Sequence, residues 1–369
     1  MKKKNLINKD LVLVIIFICF LTVPNIFYWF LKDSMDNTNY ENRELYTKPI
    51  FSLKNIETYA LDYENYFNDH LAFKNEILKC RATILYNLFQ TSASEKVIVG
   101  EDGWLFYNSV ITESPNNSVE DYQQINSYSE QDMLNMKMTI NSDIEKFNEK
   151  NIEYYILVGP NKEIVYSDYM PKLIKRNNDS EISRTEKLVQ YLQENSNINI
   201  IYPKEILTEN RRNENTYFKY DTHWNNYGAY LGTMELMKMI KGDVEENDIS
   251  FDKTTTTGDL AIMNLMSKSL MHKEPDILNF YDHVEYTCEE DTEFKNCFSE
   301  NAKYDETILV VGDSFRNAMA QYFSKLYKHA IIVHRNYYNP NMIEEYQPDT
   351  VVNITVERGS SILLSPLIY

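Results

Sequence analysis

The C-terminal two thirds of this 369-residue chain predict a three-layer α/β/α fold built on a mostly parallel sheet. Two observations carry that prediction. From about residue 129 short strands alternate with helical stretches, and the strands are continuous apolar runs, as expected where helices cover both faces of a sheet. A third observation places a membrane element ahead of the fold. Leu11 to Leu31 holds no Asp, Glu, Lys or Arg over 21 residues, and at about 1.5 Å per residue a helix of that length spans a bilayer core.

Taken in order, the chain starts with Lys2, Lys3, Lys4 and Lys9 before the apolar run, and Asp33, Asp36 and Glu41 follow it. That asymmetry puts the N-terminus inside and the remainder outside the cell membrane. The run contains no Ala or Gly for a cleavage site, and Phe27, Tyr28, Trp29 and Phe30 crowd its outer end, which favours an uncleaved single-pass anchor over a signal peptide. An extended connector with Pro49 comes next. Between Asn55 and Phe89 apolar residues recur at helical spacing (Ile56, Tyr59, Tyr63, Phe67; then Phe73, Ile77, Ile84, Leu88), giving two helices around Asn68-Asp69-His70. Val97-Ile98-Val99 and Leu105-Phe106-Tyr107 flank a Gly-containing turn and read as a β-hairpin. The alternating part then runs helix 129–149, strand 154–158, helix 183–195, strand 198–202, helix 224–240, strand 308–311, helix 314–327, and strands 330–334 and 350–354. The expected organisation is a cytoplasmic tip and anchor over 1–33, a connector with helices and hairpin packed on the core over 34–125, and the α/β domain over 126–369.

Against 37 Lys and Arg stand 55 Asp and Glu, a formal charge of −18, so no nucleic-acid partner is expected, because phosphate binding needs clustered bases. A hydrophobic content of 43% rules out a disordered chain. Four cysteines are too few for a disulfide-built fold, and none lies in a CxxC pattern that would suggest zinc or redox chemistry. Cys288 and Cys297 are close enough to pair outside the cell; two unpaired thiols are the other reading.

In open α/β sheets functional groups gather at the carboxyl ends of the strands. The strand 308–311 ends in Gly312-Asp313-Ser314-Phe315 ahead of a helical pattern. A hydroxyl at that place sits among free backbone N–H groups suited to a developing oxyanion, although Asp313 or Ser314 as a plain N-cap is the simpler alternative. Serine needs a base, and imidazole needs a carboxylate to fix its tautomer. Tyr220-Asp221-Thr222-His223-Trp224 offers both on one loop, with a capping Asp221 and a packed His223 as the structural alternative. A metal site there lacks further ligands at a recognisable spacing, and no metal or cofactor is expected.

The order Asp-Thr-His-Trp at 221–224, then Gly-Asp-Ser-Phe at 312–315, resembles the DHHW family and the alginate O-acetyltransferase proteins of the SGNH-hydrolase-like group. Further blocks continue the likeness in order: Glu41-Asn42-Arg43, Phe67-Asn68-Asp69-His70, Val99-Gly100-Glu101-Asp102-Gly103-Trp104, Pro160-Asn161-Lys162-Glu163 with Tyr166, Gly258-Asp259-Leu260 and Glu357-Arg358. Thr222 stands where the family name records a histidine; the alginate-type members also have threonine there. The resemblance implies an SGNH-hydrolase-like fold with Ser314 as nucleophile, His223 as general base and acid, Asp221 as its orienting partner, and Asp313 as a turn residue. Lys162 is a candidate oxyanion donor or substrate contact, with a surface lysine as the alternative. Trp104 and Tyr166 are candidates to line a sugar groove, with core packing as the alternative, and Glu357-Arg358 reads as a structural ion pair.

The resemblance further implies an O-acyltransferase, O-acetyl above all, acting outside the membrane on a cell-envelope or exported polysaccharide. It implies as partner a multi-spanning membrane acyltransferase that delivers the acyl group, since one anchoring helix cannot carry it. Competing readings are a carbohydrate esterase with the same three residues, a teichoic-acid D-alanylation type of protein, and a non-catalytic glycan-binding subunit of a polysaccharide assembly machine.

Overall fold

The structure, a computed structural model, describes residues 9–35, 44–111, 117–177, 182–242, 244, 249–266, 269–270, 272–277, 279–291 and 293–368. Glu41-Asn42-Arg43 lies outside the described residues. The chain divides into two compact units, Met1–Phe89 and Gln90–Tyr369.

The first unit holds α1 (Lys9–Leu31), α2 (Tyr59–Asp69) and α3 (Lys74–Phe89). The segment Lys9–Ser34 is long and apolar enough to cross a membrane, with a mean hydropathy of 2.5 over its most apolar stretch. Asp69 closes α2 from a buried position, accepting the Tyr46 N–H at 2.8 Å. Phe73 takes a left-handed φ of 62° between α2 and α3, which turns the chain without a glycine.

The second unit opens with the expected hairpin, β1 (Val97–Val99) and β2 (Leu105–Tyr107), and continues through α4 (Ser118–Gln123) and α5 (Glu130–Asn148). Then follow β3 (Glu153–Gly159), α6 (Lys162–Val165), α7 (Arg184–Asn195), β4 (Ile200–Ile201), α8 (Lys204–Asn210), α9 (Asn226–Lys241), β5 (Phe251–Thr256), α10 (Asp259–Met263) and β6 (His272–Ile277). The chain ends in β7 (Thr287–Glu290), β8 (Phe294–Phe298), β9 (Tyr304–Gly312), α11 (Arg316–Leu326), β10 (Tyr327–His334), α12 (Asn341–Tyr346) and β11 (Thr350–Val356). Helices α5 and α7 start where capping boxes, Ser129 with Asp132 and Ser183 with Glu186, satisfy the first free N–H groups.

Seven strands form one sheet in the order β4-β3-β11-β9-β10-β8-β7. The first five are parallel, and β8 and β7 are added by successive antiparallel pairings. Period-two alternation sends successive side chains to opposite faces. Leu309, Val311, Ile331, Val333 and Val351 pack under α5 and α7, whereas Ile308, Val310, Ile332, Val352 and Ile354 pack under α9 and α11. Full burial of each such side chain contributes about 1.5–3 kcal/mol, so the two apolar layers fix the sheet register. Cys288 and Cys297 face each other across β7 and β8 and are joined. Closing so short a loop contributes about 2–3 kcal/mol in the chain-entropy view, and it staples an edge pair that buries little. A separate ribbon, β5 with β6, stands outside the main sheet.

Candidate active site

Three strand ends build the site: Gly159 of β3, Gly312 of β9 and Val356 of β11. At Gly312 a Cβ would meet the Ile354 Cβ at 2.9 Å and the Ile354 carbonyl at 3.0 Å, so only glycine lets β9 turn so closely beside β11. Asp313 then locks the turn. Its Oδ1 accepts the Phe315 N–H at 2.9 Å and its Oδ2 accepts the Val356 N–H at 2.6 Å. Ser314 lies in this turn, two residues ahead of the first residue of α11.

The Asp221–Trp224 loop comes to the same place from the start of α9. His223 Nε2 lies 2.7 Å from Ser314 Oγ, and His223 Nδ1 lies 2.7 Å from Asp221 Oδ1. A proton on Nδ1 shared with the carboxylate leaves Nε2 free to accept the serine hydroxyl. The indole of Trp224 ties the two loops together by donating to the Phe315 carbonyl at 3.0 Å, and the buried Phe315 ring lies 4.9 Å from Trp224 and 5.4 Å from the His223 ring. Such an arrangement can lower the barrier to proton loss from Ser314 as its oxygen attacks.

A second carboxylate backs this set. Thr222 donates to Asp259 from its N–H (2.9 Å) and its hydroxyl (2.7 Å), and Asp259 N–H donates to Asp221 Oδ2 at 2.8 Å. Gly258 permits the approach, because a Cβ there would lie 1.9 Å from the Tyr220 carbonyl. Asp259 Oδ2 is 3.9 Å from His223 Nδ1. Asp221, His223 and Asp259 are close enough to hold a cation. All four carboxylate oxygens already accept N–H or O–H groups, however, so a cation would have to displace those bonds. Burial alone would raise the Asp221 carboxyl, but the His223 hydrogen bond and charge, with the Asp259 and His223 N–H groups, hold it below its ordinary value. Burial and then the Asp221 charge push Asp259 the other way. Asp259 holds the loop that carries Asp221 and His223, so Asp259→Asn is expected to lower kcat roughly tenfold with KM for an acetyl ester unchanged; a kcat equal to wild type would refute this role.

Lys162 is not a surface lysine, and its ammonium is engaged inside the protein. It is 2% exposed, and its ammonium donates to the carbonyls of Leu105 (2.7 Å), Lys219 (3.0 Å) and Asp221 (2.8 Å), over the rings of Trp104 and Phe106. Trp104 and Tyr166 are buried too, with ring centroids 4.2 Å apart, and the Tyr166 hydroxyl accepts the Thr216 N–H at 2.9 Å. They belong to the core beneath the site, not to an open groove. Nor do Glu357 and Arg358 form an ion pair among the described residues. Glu357 turns into a buried network, accepting Asn161 N–H (2.9 Å), Tyr202 O–H (2.8 Å) and Ser183 O–H (3.2 Å). Nearby, Asp121 pairs with Arg184 and is pushed up to about 7 by burial and by the Glu357 charge. Asp259 and the clamping role of Lys162 went unassigned in the sequence; the order of the blocks was the signal that pointed at both.

Fold and site together define an SGNH hydrolase-like α/β domain. The family model described as SGNH hydrolase-like domain, acetyltransferase AlgX, matches residues 97–331, more than half of the chain. The chain belongs to that family. Among solved structures, a DHHW family protein from Eubacterium siraeum shares the fold with a TM-score of 0.52 at 15% identity, over 74% of this chain and 95% of that one. Bacillus cereus PatB1 is similar at 17% identity and a TM-score of 0.48, over 72% of this chain and 96% of that one. The O-acetyltransferase domain of Pseudomonas putida AlgJ follows at 15% and 0.48, over 73% and 92%. No curated protein matches the sequence.

Proposed function

We propose that the protein is a membrane-anchored, extracytoplasmic O-acetyltransferase that modifies a cell-envelope or exported polysaccharide through an acyl-Ser314 intermediate. The observation that carries the reading is the continuous relay from Asp221 through His223 to Ser314, at 2.7 Å for each link, at the carboxyl end of the sheet. Ser314 attacks the acyl carbonyl, His223 takes its proton, and Asp221 orients the ring and stabilises its charge. His223 then gives that proton to the departing oxygen of the acyl donor; in the second half it deprotonates a sugar hydroxyl, which takes the acyl group, and returns the proton to Ser314 Oγ. Membership of an acetyltransferase family supports the acetyl group. The Lys9–Ser34 helix supports a single-pass anchor with the N-terminus inside, and the Cys288–Cys297 disulfide fits an oxidising compartment. An acyl donor made inside the cell has to be carried across by a multi-spanning membrane acyltransferase.

The test uses the full-length protein in detergent, a chromogenic acetyl ester and a sugar oligomer. Peptide mass analysis is expected to find a 314-acetyl adduct that decays as acetylated oligomer accumulates. Release of acetate to water at the same rate with and without the oligomer would make the protein an esterase, and an adduct confined to another residue would sink the mechanism.

A further inference from the structure

We infer that the guanidinium of Arg358 is the second donor of the oxyanion hole, an inference that rests on the Ser314 reading. The acyl carbonyl attacked by a serine becomes an alkoxide, and that oxygen needs two or more fixed donors. The turn supplies few. The Phe315 N–H is spent on Asp313 Oδ1, the Arg316 N–H on the Asp313 carbonyl and the Asn317 N–H on the Ser314 carbonyl. The Ser314 N–H meets no acceptor among the described residues, which makes it the first donor. Lys162, the candidate donor in the sequence blocks, has its ammonium engaged by three carbonyls.

Arg358 has the place and the free donors. It follows β11, the strand beside β9, and its own N–H is pinned to Asn161 Oδ1 at 3.1 Å. Its guanidinium carbon lies 5.9 Å from the centroid of the Phe315 ring, and the His223 ring lies 5.4 Å from the same centroid. Base and guanidinium thus rest on one buried floor, attached to the residue next to Ser314. Burial raises the Glu163 carboxyl, and the Arg358 charge opposes that rise first among the groups around it. Even so, no hydrogen bond or ion pair holds the guanidinium among the described residues. By contrast, Arg184, Arg211 and Arg316 have taken Asp121, Asp168 and Glu293. In a chain with 55 acids to 37 bases, a half-buried guanidinium that feels the Glu163 charge yet bonds to no carboxylate among the described residues keeps its N–H donors open. A negative charge that forms during turnover can take them.

Ser314 Oγ bonds to the acyl carbon, its proton passes to His223 Nε2, and the carbonyl π pair moves to oxygen, which accepts from Ser314 N–H and Arg358. Collapse restores the carbonyl and expels the donor's oxygen, which takes the proton back from His223.

The test follows the acylation burst with a chromogenic acetyl ester in the full chain. Arg358→Ala is expected to lose about 10²–10³ in acylation rate with KM within threefold, Arg358→Lys to lose less, and added guanidinium ion to restore the alanine variant at least tenfold. Rescue separates the role from a structural one, and the lysine variant keeps the test open should alanine unfold the protein. Acylation within threefold of wild type, a loss confined to KM, or a loss that guanidinium leaves untouched would overturn the assignment. Ser314→Ala run alongside separates the two readings: an acyl enzyme surviving in that variant removes the Ser314 mechanism itself, whereas a dead Ser314→Ala beside a fully active Arg358→Ala removes only this inference.

Discussion

Ser314→Ala and His223→Ala each lower turnover of an acetyl ester by about 10⁶, and the double variant loses no more than either single one. The reason is geometric. With Nε2 2.7 Å from Oγ, the imidazole and the hydroxyl are one device, and removing either part removes the whole of nucleophilic catalysis. Binding and the oxyanion donors remain, so a residual acceleration of about 10³ over water persists in every variant. Intact-mass analysis is expected to show no acyl adduct in Ser314→Ala. The fold survives these changes, since Ser314 and His223 are only partly buried and the Trp224 bond to the Phe315 carbonyl holds the two loops together without them. Steady-state kinetics decide the matter: losses that multiply in the double variant would mean that serine and histidine act separately, and an adduct in the alanine variant would place the nucleophile elsewhere.

Much of this architecture could be read from residue order. Strands such as Ile308–Val311 declare themselves because a central parallel strand is apolar on both faces, and the structure extends that one to Tyr304–Gly312. Helix 183–195 starts at the Ser183 capping box, one residue from its observed first turn. Helix 314–327 was harder. The Gly312–Phe315 turn uses two more residues before helical geometry begins at Arg316, because Asp313 spends its carboxylate on cross-linking β9 to β11. Strands β7 and β8 gave no apolar run, since Thr287–Glu290 lies at the sheet edge and Lys295 and Asn296 are only half covered. Their register comes from a disulfide and from pairing with β10, both long-range facts. The ribbon of β5 and β6 escaped for the same reason, being exposed and polar along Phe251–Thr256.

The site was legible as a set of words and illegible as a sentence. Asp221, His223 and Ser314 stand out as candidates because serine needs a base and the base needs a carboxylate, but capping and packing are open alternatives for each until the family resemblance implies their roles. The blocks around them carried no chemistry of their own. Only in three dimensions do the Leu105 and Lys219 carbonyls, Lys162 and Gly258-Asp259 turn out to hold one loop. A lysine after a strand reads as a surface cation because isolated buried charges are costly. Three carbonyls and two aromatic faces reverse that expectation here.

That reversal makes Lys162→Met the most informative change away from the reacting atoms. Methionine is unbranched and one heavy atom shorter, so it reproduces the apolar stem of the lysine and the variant removes little beyond the ammonium. The carbonyls of Leu105, Lys219 and Asp221 then lose a charge-assisted donor, each bond contributing about 1.5–3 kcal/mol. Part of that loss is offset because no charge is buried any longer, leaving a net destabilisation of about 3–5 kcal/mol. For a unit of this size the melting temperature falls by roughly 10 °C, readable by circular dichroism. Turnover falls as well, because the carbonyl released is that of Asp221 itself and the carboxylate that orients His223 is then free to drift. A shift of 1 Å in such a group costs about 10² in rate, and KM for the ester is expected to stay put. A substrate contact would behave in the opposite way, raising KM while the melting temperature held. A variant with wild-type stability would therefore remove Lys162 from the interior scaffold and return it to the binding surface.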